Sequence, residues 1–205
     1  MSLNFMKKIS QIKITAKKQS AILEIVNSFE NFHVVNPGRN MTMDIHLRYY
    51  FLDHKKDFDA DGRTQIVDNV YTLLRYKGYL NAIASRTSSY SPDQINWAAR
   101  FKAFQSPDFA DQFDNESIPE HARCSVPKDL FDMYVKSHGS EKAHEICKVS
   151  LEKPMLTIRA NTLKTTRKDL LSTLMNKYNF GVTTCKFAPN GIRFYQTPTT
   201  SLFTL

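Results

Sequence analysis

Leu156-Thr157-Ile158-Arg159-Ala160-Asn161-Thr162-Leu163-Lys164-Thr165-Thr166-Arg167-Lys168-Asp169-Leu170-Leu171 changes its period part-way along. Leu156 to Ala160 alternates apolar and polar residues, the two-residue period of a half-buried strand. Thr166-Arg167-Lys168-Asp169 then reads as a T-x-x-D capping box, and Leu170, Leu171, Leu174 and Met175 follow it on a helix. Asn179 and Gly181 stop that helix, and Val182 to Phe187 reads as a second strand. Asn190-Gly191 is a hairpin signal, and Ile192-Arg193-Phe194-Tyr195 is the strand that returns from it. Strand, helix, strand, hairpin, strand predicts a small sheet with a helix on one face.

Upstream of this unit the period is helical. Ile22, Ile25, Val26 and Phe29 keep the i, i+3, i+4, i+7 spacing of one buried face. Pro37-Gly38 breaks the chain, and Met43 to Phe51 predicts a second helix. Ile66, Val70, Leu73 and Leu74 define a third, with Gly78 as its expected terminator. Residues 86–93 read as a polar linker, Trp97, Phe101 and Phe104 as a short helix, and the acidic stretch 105–123 as a boundary. Ser125 is the expected N-cap of a helix with Pro127 in its first turn and Leu130, Phe131 and Tyr134 on its apolar face. Gly139-Ser140 separates it from a helix carrying Ala143, Ile146 and Cys147, and Pro154 ends the helical region.

The chain has 205 residues, 41% apolar and 12% aromatic, enough for a buried core and too much for a disordered tail. Its longest apolar runs fall far short of the roughly 20 residues that span a bilayer. The first residues, Met1 to Lys8, lack the apolar segment of a secretory signal. An intracellular protein is expected, cytoplasmic, or nuclear or nucleolar in a eukaryote, with no membrane partner. Cys124, Cys147 and Cys185 show no CxxC pair, so reduced thiols are expected.

The net charge of +8 is unevenly spread. Residues 154–205 hold seven cations, Arg159, Lys164, Arg167, Lys168, Lys177, Lys186 and Arg193, against the single acid Asp169. Such a region attracts a polyanion. Arg159 and Asn161 alternate with the apolar strand positions, so they are expected on one face, either contacting RNA or tying the strand to neighbouring protein. Lys164, Arg167 and Lys168 surround a helix N-terminus whose amides can receive a phosphate. Phe187, Phe194 and Tyr195 stack bases if they face outward and fill the core if they face inward; Phe194 is expected inward.

Asp57-Phe58-Asp59-Ala60-Asp61-Gly62 fits D-x-D-x-D-G, the opening of a calcium loop. Position 12 would be Asp68 in place of the bidentate Glu, position 8 is Thr64, and no second loop partners it, so helix-start acids are expected instead of ligands. The histidines, at 33, 46, 54, 121, 138 and 144, show no metal-ligand spacing, and no nucleophile motif is found; metal ligands and catalytic residues are expected to be none.

Leu156 to Lys164 with Arg167 to Leu171 resembles the "LTLRVNTLK…R…LL" segment of the Sun/Fmu (RsmB-like) family of RNA cytosine-5 methyltransferases. Ser125-Val126-Pro127-Lys128-Asp129-Leu130 and Glu152-Lys153-Pro154 resemble that family's "S-x-P-x-x-L" helix and "x-x-P" approach to the strand. More loosely, Asp61-Gly62-Arg63 with Val70-Tyr71-Thr72-Leu73-Leu74-Arg75 is similar to the "D-R…VYGVLR" helix of the family's N-terminal domain, which is related to the antitermination factor NusB. The resemblance implies a mainly α chain with a small α+β part. An abbreviated NusB-like helical domain, residues 1–120, would precede linking helices and a ferredoxin- or RRM-like α/β domain, residues 121–205. In the family a doubly wound domain follows. It binds S-adenosylmethionine and carries cysteines in Pro-Cys and Thr-Cys motifs. This sequence has no Pro-Cys, and its Thr184-Cys185 falls within a predicted strand. The chain is therefore expected to be the RNA-binding N-terminal region of such an enzyme, without cofactor of its own, continuing past Leu205 into the catalytic domain that is its partner. Its RNA residues are expected to be Arg159, Asn161, Lys164, Arg167, Lys168, Lys186 and Arg193, and the RNA ribosomal or transfer. The alternative is a stand-alone NusB-like module binding RNA or protein.

Overall fold

The computed structural model describes residues 14–87, 95–107, 109, 111–152 and 154–196. The N-terminal stretch, most of the polar linker at 86–93 and the end beyond residue 196 lie outside them. The chain divides into two compact units, residues 1–152 and 153–205, so the 120/121 boundary drawn from sequence falls inside the first unit. The first is helical, and the second holds the only sheet among the described residues.

Four helices of the first unit start where short polar side chains cap them. Thr15, Thr42, Asp59 and Asn96 each accept a hydrogen bond from the backbone N–H three residues on, opening α1 (Ala16–Val35), α2 (Met43–Asp53), α3 (Ala60–Arg75) and α5 (Trp97–Phe104). Ile22, Ile25 and Val26 of α1, with Ile66, Val70 and Leu73 of α3, are fully buried, as their spacing predicts. Tyr76, Tyr79, Trp97, Phe101, Phe104, Phe109 and Phe113 complete this aromatic-rich core.

Two punctuation residues act otherwise than expected. Gly78 does not end α3; Tyr76 caps it, and Gly78 lies inside α4 (Lys77–Thr87). Ser125 does not cap a helix; its hydroxyl accepts the Gly78 N–H at 2.9 Å while its own backbone is left-handed (φ 54°). A Cβ at Gly78 would meet Ser125 Cα at 3.2 Å, so the glycine allows the 124–126 turn to close against α4. Beyond the short α6 (Glu120–Arg123), Pro127 caps α7 (Lys128–His138), and Gly139, at φ 79°, turns the chain into α8 (Ser140–Ser150). Phe131, Ala143, Cys147 and Cys124 fill a small core of this hairpin.

In the second unit β1 (Thr157–Arg159), α9 (Arg167–Asn176), β2 (Val182–Thr184) and β3 (Gly191–Phe194) follow the predicted order. The sheet order is β1-β3-β2, and both pairings are antiparallel. β1 and β2 therefore run parallel to each other on either side of β3, joined by the α9 crossover. Ile158 pairs with Ile192, and Val182 with Phe194, so these four side chains point to one face. Leu174 of α9 is buried against them, and Leu170 and Leu171 pack around it. The hairpin forms at Asn190-Gly191, but Gly191 has no positive φ. It is required because a Cβ there would sit 2.8 Å from Cys185 Sγ and 2.9 Å from Ala188 Cβ.

Candidate nucleic-acid interface

The three loops at one end of the small sheet bring most of its cations together. Ala160 N–H donates to Asn190 O at 2.8 Å, joining the exit of β1 to the β2–β3 turn. Arg167 Nη1 donates to Ala188 O at 3.5 Å, joining the start of α9 to the same turn. Arg159, Lys164, Arg167, Lys168 and Lys186 therefore share this end; all are exposed except Arg167, which is half-buried. Among the described residues none of them forms an ion pair, and an uncompensated cluster of this kind suits phosphates. Lys177 lies at the opposite end of α9, its Nζ 5.1 Å from the Tyr178 ring centre.

Asn161 does not extend the strand, because β1 ends at Arg159. Its Oδ1 accepts Leu163 N–H at 3.1 Å and its carbonyl accepts Lys164 N–H at 2.9 Å, so it builds the turn that presents Lys164. Arg193 stands mid-sheet, opposite Thr157 on one side and Thr183 on the other, on the face away from α9. Thr166 Oγ1 caps the Asp169 amide at 3.1 Å and donates to the Asp169 carboxylate at 2.6 Å. The first turn of α9 thus already carries a negative charge, and the cations around it offer more to a phosphate than its amides do.

The three aromatics separate. Phe194 is buried in the core, whereas Phe187 is 89% and Tyr195 61% exposed. The alternation along Ile192-Arg193-Phe194-Tyr195 carries this signal, since only every second residue meets α9.

Other candidates dissolve into structure. Asp59 Oδ1 caps α3 through Gly62 N–H at 2.8 Å, Asp57 pairs with Lys17 at 3.0 Å, and Asp61 accepts from Gln65 at 2.6 Å. Millimolar calcium is accordingly expected to leave the melting temperature unchanged; a saturable rise would reinstate the loop as a site, since a ligand of the native state must stabilise it. Burial pushes the Cys124 thiol up to about 12, with the neighbouring Cys147 and Glu120 adding to it, so it stays protonated and is no nucleophile at neutral pH. His144 Nδ1 lies 3.0 Å from Glu120 Oε1, an ion pair when the ring is protonated. Cys185 is half-exposed beside Gly191, its amide bonded to Gly191 O at 3.0 Å. Among the described residues no group of three or more His, Cys, Asp or Glu is placed to hold a metal. No helix there is long and apolar enough to cross a membrane.

A helix packed on one face of a β1-β3-β2 antiparallel sheet defines a ferredoxin-like α/β unit. Residues 126–200 match the family model of the Methyltr_RsmF/B-like, ferredoxin-like domain. The match is to that one domain, and the helical stretch before residue 126 lies outside it. The match begins upstream of the α/β unit and takes in the α7–α8 hairpin. Comparison with curated proteins and with solved structures finds no match.

Proposed function

We propose that this chain is the RNA-holding N-terminal region of an S-adenosylmethionine-dependent RNA cytosine-5 methyltransferase acting on ribosomal or transfer RNA. The observation that carries the reading is the basic end of the α/β unit, inside the stretch that matches the methyltransferase family. Arg159, Lys164, Arg167, Lys168 and Lys186 would grip phosphates, with Arg193 continuing the surface across the sheet, while the helical unit takes the place of the NusB-like domain. Contacts of this kind position RNA without reading its sequence. The described residues do not fit S-adenosylmethionine: their one sheet is three-stranded and antiparallel, whereas such cofactors lie at the carboxyl ends of parallel strands. Methyl transfer is assigned to a cofactor domain of the same protein, and none of the described residues is given a step in it.

The test is binding of structured RNA across a salt series. Three or four phosphate contacts predict a slope of log affinity against log salt of about −2 to −3, at roughly −0.7 per phosphate for single-stranded contacts. Arg167→Glu with Lys168→Glu is expected to weaken binding to any RNA and flatten that slope. The fold should hold, because Lys168 is exposed, Arg167 makes only the long bond to Ala188 O, and acids suit the first turn of α9. A double variant that binds as tightly as the parent at low salt refutes this surface as the RNA site.

A further inference from the structure

The face of the small sheet turned away from α9 is itself a surface of defined chemistry. The strand period and the registers place Thr157 and Arg159 of β1, Arg193 of β3 and Thr183 of β2 on it. Tyr195 N–H donates to Gly181 O at 2.9 Å, which extends the β2–β3 pairing by one step and sets Tyr195 opposite Gly181 on this same face. A Cβ at Gly181 would lie 3.4 Å from Tyr195 Cδ2, so the ring leans over the glycine, yet it remains 61% exposed. Among the described residues no other ring stacks on it. The face carries two guanidiniums, two threonine hydroxyls and a flat aromatic, with no carboxylate. The unit's one acid, Asp169, lies on the helix and is engaged by Thr166.

We propose that this open face binds an unpaired RNA nucleotide, its base stacked on Tyr195 and its backbone running over Arg193 and Arg159 toward the basic end. The inference rests on the RNA-holding reading above and narrows it to single-stranded segments. The physical reason is complementarity of two kinds. Cations without nearby acids select a polyanion, and an exposed ring selects one with planar groups to stack. In a paired helix the base faces are already stacked on each other, so only unpaired nucleotides can use the ring. Arg193 is two residues from Tyr195 on the same strand face, within one nucleotide's reach of a base on the ring. Arg159 lies opposite Gly191, two residues before Arg193 on β3, so the two arginines are diagonal neighbours on this face.

The test uses the full chain and two fluorescent probes, a short oligouridine strand and a blunt RNA duplex of the same length, read by anisotropy at low salt. Tyr195→Ala is expected to weaken the single strand about tenfold, the loss of one stacked base, with the salt slope and duplex affinity unchanged. Tyr195→Phe, which keeps the ring, should bind like the parent. Arg167→Glu with Lys168→Glu should weaken both probes. If Tyr195→Ala binds the single strand as the parent does while the charge-reversed variant loses it, stacking is wrong and the phosphate-gripping reading survives. Equal weakening of strand and duplex by Tyr195→Ala overturns the preference for unpaired nucleotides. A parent chain that binds neither probe overturns both readings.

Discussion

Phe194→Ala is expected to unfold the α/β unit at room temperature while the helical unit stays folded. The buried core of that unit is Leu174, Val182, Ile192 and Phe194, and Phe194 is its largest member, 1% exposed, with its ring edge-to-face against Phe180 at 5.8 Å. Truncating a buried phenylalanine to alanine costs about 3–5 kcal/mol in lost transfer energy and residual cavity. A unit this small has about 3–5 kcal/mol to lose, so the change consumes its whole stability. The measurement is an amide correlation spectrum. Signals from 157–159, 182–184 and 191–194 should collapse to the dispersion of an unfolded chain, while those of Ile22, Ile25, Val70 and their helices persist. RNA affinity should fall with the sheet that presents Arg159 and Arg193. A variant that keeps the dispersed strand signals and melts within a few degrees of the parent would show that this core is larger than its buried residues indicate. Tyr195→Ala, one residue further along, provides the contrast. That side chain is exposed, so its removal should change stability by less than about 0.5 kcal/mol.

Trp97→Ala is the corresponding change in the helical unit, with an expected loss of about 4 kcal/mol. Trp97 is 1% exposed and joins three kinds of interaction. Its ring fills the core beside Phe101 and Phe104, its indole N–H donates to Glu30 Oε2 at 2.7 Å, and the Arg100 guanidinium lies 4.5 Å from its ring centre. Arg100 is itself buried, so removing the ring leaves a cation whose partners among the described residues are Asn81 and a distant Glu30 carboxylate, 3.8 Å away. Burial alone would raise the Glu30 carboxyl, but the Lys77 ammonium at 2.6 Å, with Arg100 and the indole, outweighs it and holds the pKa below its ordinary value. A depressed folded-state pKa means that Glu30 lends stability at neutral pH and above the ordinary carboxylate range. That stability is lost as pH falls through the folded-state value. Glu30 is 40% exposed, so solvent screening keeps this contribution small beside the packing loss. For a unit of this size the melting temperature of Trp97→Ala should drop by about 10 °C or more. Trp97→Phe, which keeps most of the volume and loses the N–H bond, should fall about a third as far. Equal drops for the two variants would mean the hydrogen bond, not the ring, holds α5 to α1.

What could be read from the sequence is what neighbours within one or two turns decide. The T-x-x-D start of α9, the 3.6-residue spacing of Ile22, Ile25 and Val26, and the two-residue alternation of Ile192-Arg193-Phe194-Tyr195 are interactions between residues at most a few positions apart, so they appear as local patterns. They define the elements, their order, and which of Phe194 and Tyr195 faces in once the inner face is known. Tertiary structure decided the rest. β1 pairs with β3 and not with β2, a choice between partners tens of residues apart that no local pattern distinguishes. Ser125 looks like a cap, yet its hydroxyl goes to Gly78 N–H, 47 residues away in the chain, because closing the turn against α4 satisfies both groups at once. Gly78 and Gly191 look like a terminator and a turn residue, but both are glycine because another backbone or side chain comes too close for a Cβ. The same holds for the basic end. Seven cations are legible in the composition, and only the joining of Ala160 to Asn190 and the α9 crossover between β1 and β2 gather five of them at one end and leave Lys177 at the other. Charge is a property of composition, whereas a binding surface depends on distances that the chain sets only by folding back on itself.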